Sequence, residues 1–167
     1  MDAADPTFRD LSFPVGYHPF TKDTHMNFQL NRWHSLGYWT IEDAKRTGDR
    51  VRKLSDWKPV MLKAAEGMIG AGRTLAGAIG YRAAEFFTHP TDPDKIPLYD
   101  QFHETFYTAV QDECMERISI PYQGKELPAL RFLPQDSKGT IVLHGGLDSF
   151  MEELYSAARY LFDAGYE

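Results

Sequence analysis

The spacing of apolar residues changes character near residue 114. Before that point the pattern is helical. From Thr24 to Leu36, the residues Met26, Leu30 and Trp33, with Phe28 beside them, fall on one helical face that Gly37 is placed to end. Thr40 followed by Glu42 and Asp43 reads as the start of a second helix, with acids where the helix dipole favours them. That helix is expected to run as a polar, surface-lying element to about Leu54. Ser55 and Asp56 offer the next cap, with Pro59 tolerable in a first turn. Gly67, Gly70, Gly72, Gly77 and Gly80 then alternate with Ala, Met, Ile and Leu. So many glycines imply close backbone approach between helices, or a break near 70–72. The run YRAAEFF continues the helical pattern, THPTDPDK stops it, and a last helix is expected from about Pro97 to Val110. Its face is Leu98, Phe102, Phe106 and Val110, spaced four apart.

After Met115 the period shortens. In ERISIPY, Ile118 and Ile120 alternate with polar neighbours; Gln123-Gly124-Lys125 suits a turn, and ELPALRFL resumes as a second short strand. The apolar run TIVLHGG has the composition of a buried parallel strand. Ser149 and Glu152 match a capping box for a helix whose apolar face is Leu154, Ala157, Ala158, Leu161 and Phe162. Gly165 sits where a helix C-cap wants one. Strand, glycine loop and capped helix predict the first half of a β-α-β crossover. The expected division is a helical domain over 1–113 and an α/β segment over 114–167. Ahead of the first helix, Pro6, Pro14, Gly16 and Pro19 exclude regular helix. Phe8, Leu11, Phe13, Tyr17 and Phe20 imply that this arm lies against something.

Charge narrows the classes of partner. A net charge of −6 across 167 residues argues against nucleic acid and against a basic membrane-surface helix. The most apolar stretch, Met61 to Ile79, carries Lys63, Glu66 and Arg73 and is too charged to span a bilayer. The opening MDAADPTFRD lacks the apolar core of a secretory signal, so the expected location is cytoplasmic. Cys114 is the only cysteine and reads as a small hydrophobe. His18, His25, His34, His89 and His103 show no paired ligand spacing, so neither a metal nor another cofactor is expected.

The candidate chemistry sits at His144-Gly145-Gly146-Leu147-Asp148-Ser149. Two glycines before a helix let the main chain approach a ligand, and backbone N–H groups there can stabilise an oxyanion. Ser149 is accounted for by helix capping, Asp148 by the helix dipole, and His144 by orienting the loop. No G-x-S-x-G occurs in the 167 residues.

These residues resemble a family. The HGG motif after an apolar run matches the oxyanion motif of α/β-hydrolases. The preceding NFQLNRW, YRAAEFF and TDPDK segments look like a narrower group: the bacterial 2,6-dihydroxypseudooxynicotine hydrolase and the fungal pigment-pathway hydrolases that shorten polyketides. The resemblance spans roughly residues 13 to 167. It implies a helical N-terminal domain serving as lid and in dimerisation, followed by a β-hairpin and the first parallel β-α unit of the hydrolase sheet. It also implies a serine hydrolase of C–C or ester bonds in aromatic or polyketide-like small molecules. Only the oxyanion residues Gly145, Gly146 and Leu147 carry over, and the nucleophile, acid and base fall outside this chain. The resemblance therefore implies the N-terminal portion of such an enzyme, inert in isolation. Phe28, Trp33, Tyr81 and Phe87 are candidate substrate-pocket residues. Two alternatives stand beside this reading: a non-catalytic helical module that dimerises or binds a partner chain, and one half of a two-chain hydrolase.

Overall fold

A computed structural model describes residues 12–167, and the chain divides into two compact units between Val110 and Gln111. Pro6, Phe8 and Leu11 lie outside the described residues.

The first unit contains five helices: α1 (Thr24–Ser35), α2 (Ile41–Gly48), α3 (Leu54–Gly70), α4 (Thr74–Phe86) and α5 (Lys95–Ala109). Its centre is α4, whose residues from Leu75 to Glu85 are all buried. A helix buried on every side needs neighbours on both flanks, and α3 and α5 pack against it. The glycines make the α3 contact close. A Cβ on Gly80 would lie 2.7 Å from the Ala65 Cβ, and one on Gly77 would lie 2.4 Å from Ile69 Cγ1. Both expectations for this glycine-rich run therefore apply, because the chain also turns at Ala71–Arg73 between the two helices. Trp39 and Trp57 donate their indole N–H groups to the Ala76 and Ala83 carbonyls of α4, at 3.0 and 2.6 Å. Leu98, Phe102, Phe106 and Val110 are buried, as their spacing predicts.

Local capping sets the helix ends. Asp23 caps α1, and Thr40 with Asp43 forms a capping box on α2. Helix α2 is shorter than expected; it lies at the surface with Glu42, Lys45 and Arg46 exposed, but one face is covered. It ends at Gly48, and Asp43, Ala44, Thr47 and Gly48 are buried. Helix α3 begins at Leu54, before the expected cap, because Asp56 accepts the backbone N–H groups of Arg52 and Lys53 at 3.1 Å. Pro59 consequently lies in its second turn rather than its first. Helix α5 starts two residues early, leaving Pro97 in its first turn, where an N–H has no helical partner to lose. The proline-containing arm is held by α1. Asn31 and Asn27 accept the backbone N–H groups of His18 and Phe20 at 2.7 and 2.8 Å, and Phe20 is buried.

The second unit begins with an antiparallel hairpin, β1 (Met115–Tyr122) and β2 (Lys125–Phe132), paired from Met115↔Phe132 to Tyr122↔Lys125. Gln123 and Gly124 both have positive φ, 48° and 73°, as a two-residue type I′ turn requires. Such a turn closes on a hydrogen-bonded pair, so Pro121 and Pro128 both occupy positions whose N–H would point outward. Each outer edge of the ribbon thus contains a residue with no donor, the place a strand proline is tolerated. Helix α6 (Tyr155–Asp163) follows a 3₁₀ turn over Met151–Leu154. It ends in a Schellman motif: Gly165 donates to Phe162 O at 2.8 Å and Tyr166 to Leu161 O at 3.0 Å.

The expected α/β architecture does not form. The sheet has two antiparallel strands and is unclosed; no parallel β-α-β arrangement is present among the described residues. TIVLHGG is not a strand, and Ile141, Val142 and Leu143 are exposed. A strand exists only through a neighbour that takes its backbone bonds. Here three backbone bonds tie 138–141 to 165–167: Lys138 to Gly165, Ile141 to Glu167, and Glu167 to Gly139. Beyond Ile141 no neighbouring strand pairs with the run. At the start of the 3₁₀ turn the Glu153 N–H donates to the Phe150 carbonyl at 3.2 Å, and the Phe150 N–H donates to the Glu153 carboxylate at 3.3 Å.

Candidate functional site

The loop from His144 to Ser149 is built by backbone contacts. Ser149 N–H donates to Gly146 O at 3.2 Å, closing a turn through Leu147 and Asp148. His144 Nδ1 lies 2.9 Å from Gly145 O and donates to it, the orienting contact its position suggests. A Cβ at Gly145 would sit 2.1 Å from Ser149 Cβ, so the absent side chain lets Ser149 pack against the backbone. Around Gly146 there is open space, and Leu147 is fully exposed. No acceptor among the described residues takes the amide N–H of Gly145, Gly146 or Leu147.

The helix following this loop is anchored at its first turn and its middle. The Tyr155 ring is fully buried, 5.9 Å from the Phe132 ring, and its hydroxyl donates to Asp112 Oδ2 at 2.8 Å. Arg159 Nη1 donates to both Asp112 oxygens, at 3.0 and 2.8 Å, and Arg159 also reaches Asp163 at 3.0 Å. Burial alone would raise the Asp112 pKa. The bonds from Tyr155, the Cys114 backbone N–H and Arg159 overcome that and hold the carboxyl below the usual range. Sequence reasoning missed this anchor. Its partners are separated by more than forty residues, and neither charge nor periodicity marks Asp112 in the sequence.

An apolar groove of about 560 Å³ lies within this unit, between the hairpin, the 140–145 run and α6. Ile118, Leu130, Leu143, Leu154 and Leu161 line it. Gly145 and Ser149 border it; Gly146 and Leu147 do not.

The four aromatic pocket candidates are dispersed in the first unit. Trp33 is fully buried and Tyr81 nearly so, whereas Phe28 is 56% exposed. Burial and the nearby Glu66 raise the Tyr81 pKa. Phe87 packs edge-on against Trp57, ring centroids 5.1 Å apart, and lines a groove with Leu54 and Pro59. Among the described residues no group of three or more His, Cys, Asp or Glu side chains is placed to hold a metal ion. No helix there is long and apolar enough to cross a membrane.

No family model matches the chain. It is similar to Hydrolase acrC of Aspergillus aculeatus, with 26% identity over 144 residues. The likeness is to a hydrolase. It is weak and partial, covering 74% of this chain but 31% of that protein. The chain thus spans about a third of the length of the curated relative it matches. That supports a broad hydrolase resemblance and no particular subgroup.

Proposed function

We propose that this chain is the N-terminal part of a serine-type hydrolase cleaving C–C or ester bonds of aromatic or polyketide-like small molecules. In this reading the 145–147 loop supplies backbone donors to the oxyanion, and the nucleophile, acid and base come from polypeptide outside these 167 residues. The observation that carries it is the set of amide N–H groups at Gly145, Gly146 and Leu147 that no acceptor among the described residues takes. When a serine oxygen adds to a carbonyl, negative charge collects on the carbonyl oxygen. Donors already oriented toward that oxygen need no reorganisation, and each is worth on the order of 3 kcal/mol of barrier. The similarity to a fungal hydrolase supports the reaction class, and the absence of G-x-S-x-G from these residues supports an external nucleophile.

The test uses the native protein. Purified from its source, it should show a serine labelled by a fluorophosphonate probe, either in additional polypeptide or in a co-purifying chain, with ester turnover lost on labelling. Gly146→Pro removes one donor at a position where an added Cβ meets nothing within 4 Å, and should lower kcat about 10²–10³-fold with KM little changed. A native species of 19.1 kDa that purifies alone, takes no label and turns over no ester would overturn the reading.

A further inference from the structure

Five cationic side chains and one acid, Asp49, fall within the nine residues where α2 gives way to α3: Lys45, Arg46, Arg50, Arg52 and Lys53, in a chain of net charge −6. All five are exposed. Arg46 is held by Asp43 at 2.7 Å, but no acceptor among the described residues takes the side chains of Lys45, Arg50, Arg52 or Lys53. Local helix stability explains only part of this cluster. Lys45 and Arg46 complement the negative end of α2. Arg52 and Lys53 instead stand at the N-terminal end of α3, where the helix dipole disfavours a cation. Asp56 satisfies their backbone N–H groups and leaves their charges facing solvent.

The same corner opens onto an apolar groove of about 410 Å³ lined by Leu54, Trp57, Pro59 and Phe87. Leu54, directly after Lys53, is 57% exposed. Lys58, which also lines the groove, is bound by both Asp92 and Asp94, each at 2.9 Å, so its charge is more than compensated.

We propose that this corner of the first unit docks a short acidic peptide segment carrying one apolar anchor residue. The peptide carboxylates lie over Arg50, Arg52 and Lys53, and the anchor enters the groove beside Leu54. Carboxylates near the Asp92–Lys58–Asp94 cluster would be repelled, which favours placing them over Arg50, Arg52 and Lys53. A long polyanion fits less well, because past the corner it meets a net acidic chain. A bilayer fits less well too, because Leu54 alone offers little surface to insert.

Fluorescence anisotropy tests this with a labelled Glu-rich peptide bearing a central Leu, compared with the same peptide bearing Gly there. The leucine peptide should bind more tightly and weaken as salt rises. The Arg50→Glu/Arg52→Glu variant should bind roughly tenfold or more weakly with an unchanged melting curve, and Leu54→Ser should erase the preference for leucine over glycine. Lys45→Glu/Arg50→Glu serves as a second charge reversal if the first pair perturbs folding. Absence of binding at low salt, or binding indifferent to both reversals, overturns the proposal. So does equal or tighter binding of a single-stranded oligonucleotide or of phosphatidylserine vesicles.

Discussion

Trp57 and Val142 both belong to apolar segments, yet Trp57 is 1% exposed and Val142 is 84% exposed. The contrast extends to the two units. The first buries most of its large apolar residues against its own helices, with Phe28, Leu54 and Ile96 left exposed and α4 enclosed along its length. In the second, Phe132 and Tyr155 are buried, while Ile120, Leu127, Ile141, Val142 and Leu143 remain exposed. Composition does not separate the units; the source of backbone hydrogen bonds does. A helix satisfies its backbone within one segment and needs neighbours only for its apolar stripe. A strand needs a second segment before it exists. The local part of the second unit, a hairpin with a two-residue turn, therefore forms, whereas the 140–146 run has no strand to join.

The largest effect should come from testing that asymmetry directly. Phe102→Ala removes a fully buried ring from the α5 face and should destabilise the first unit by about 3–5 kcal/mol. Val142→Ala should stay within about 0.5 kcal/mol, because an exposed side chain loses little on truncation. Chemical denaturation followed by NMR, with resonances from each unit read separately, checks both. A Val142→Ala loss comparable to that of Phe102→Ala would show that the 140–146 run is packed in solution, and the comparison would fail.

The same physics sets what was legible in the sequence. Leu98, Phe102, Phe106 and Val110 identify α5 because one helical face is written in consecutive turns. Thr40 and Asp43 mark a helix start for the same local reason. Gln123-Gly124 marks the hairpin because positive φ at two adjacent residues has few chemical solutions. At the candidate site the loop was legible as a glycine pair before a helix. That Ser149 packs against Gly145, and that a 3₁₀ turn with a Phe150–Glu153 contact precedes α6, was not, because both depend on how the loop folds back. The strand over TIVLHGG failed for a different reason: apolar composition describes a residue's preference for burial and says nothing about whether a partner strand is available.

Asp112 is where the second unit most resembles the first, with a buried polar residue supporting a helix. Asp112→Asn keeps the shape but leaves Arg159 with only the half-exposed Asp163 carboxylate; it should destabilise the second unit by roughly 2–3 kcal/mol. The folded carboxyl has a lowered pKa, so its contribution is complete above the unfolded value of about 3.9 and is lost as pH falls through the folded value. The wild-type second unit should therefore loosen in that acidic range, and the variant should lose this pH dependence. Identical acid titrations of the two proteins would remove Asp112 as the anchor.

The smallest expected effect distinguishes two glycines that the sequence treats alike. Gly80 faces Ala65 so closely that an added Cβ would lie 2.7 Å from the Ala65 Cβ and 2.9 Å from its Cα. The α3 backbone would have to retreat, so Gly80→Ala should cost about 1–2 kcal/mol. A Cβ at Gly67, inside α3, would meet nothing within 4 Å. Gly67→Ala should therefore stabilise by about 0.5–1 kcal/mol through helix propensity and lost unfolded-state freedom. Melting curves of the two variants should thus shift in opposite directions. If both were stabilised, the α3–α4 contact would be loose enough to admit a methyl group, and the tight closure that separates the first unit from the second would not hold at its centre.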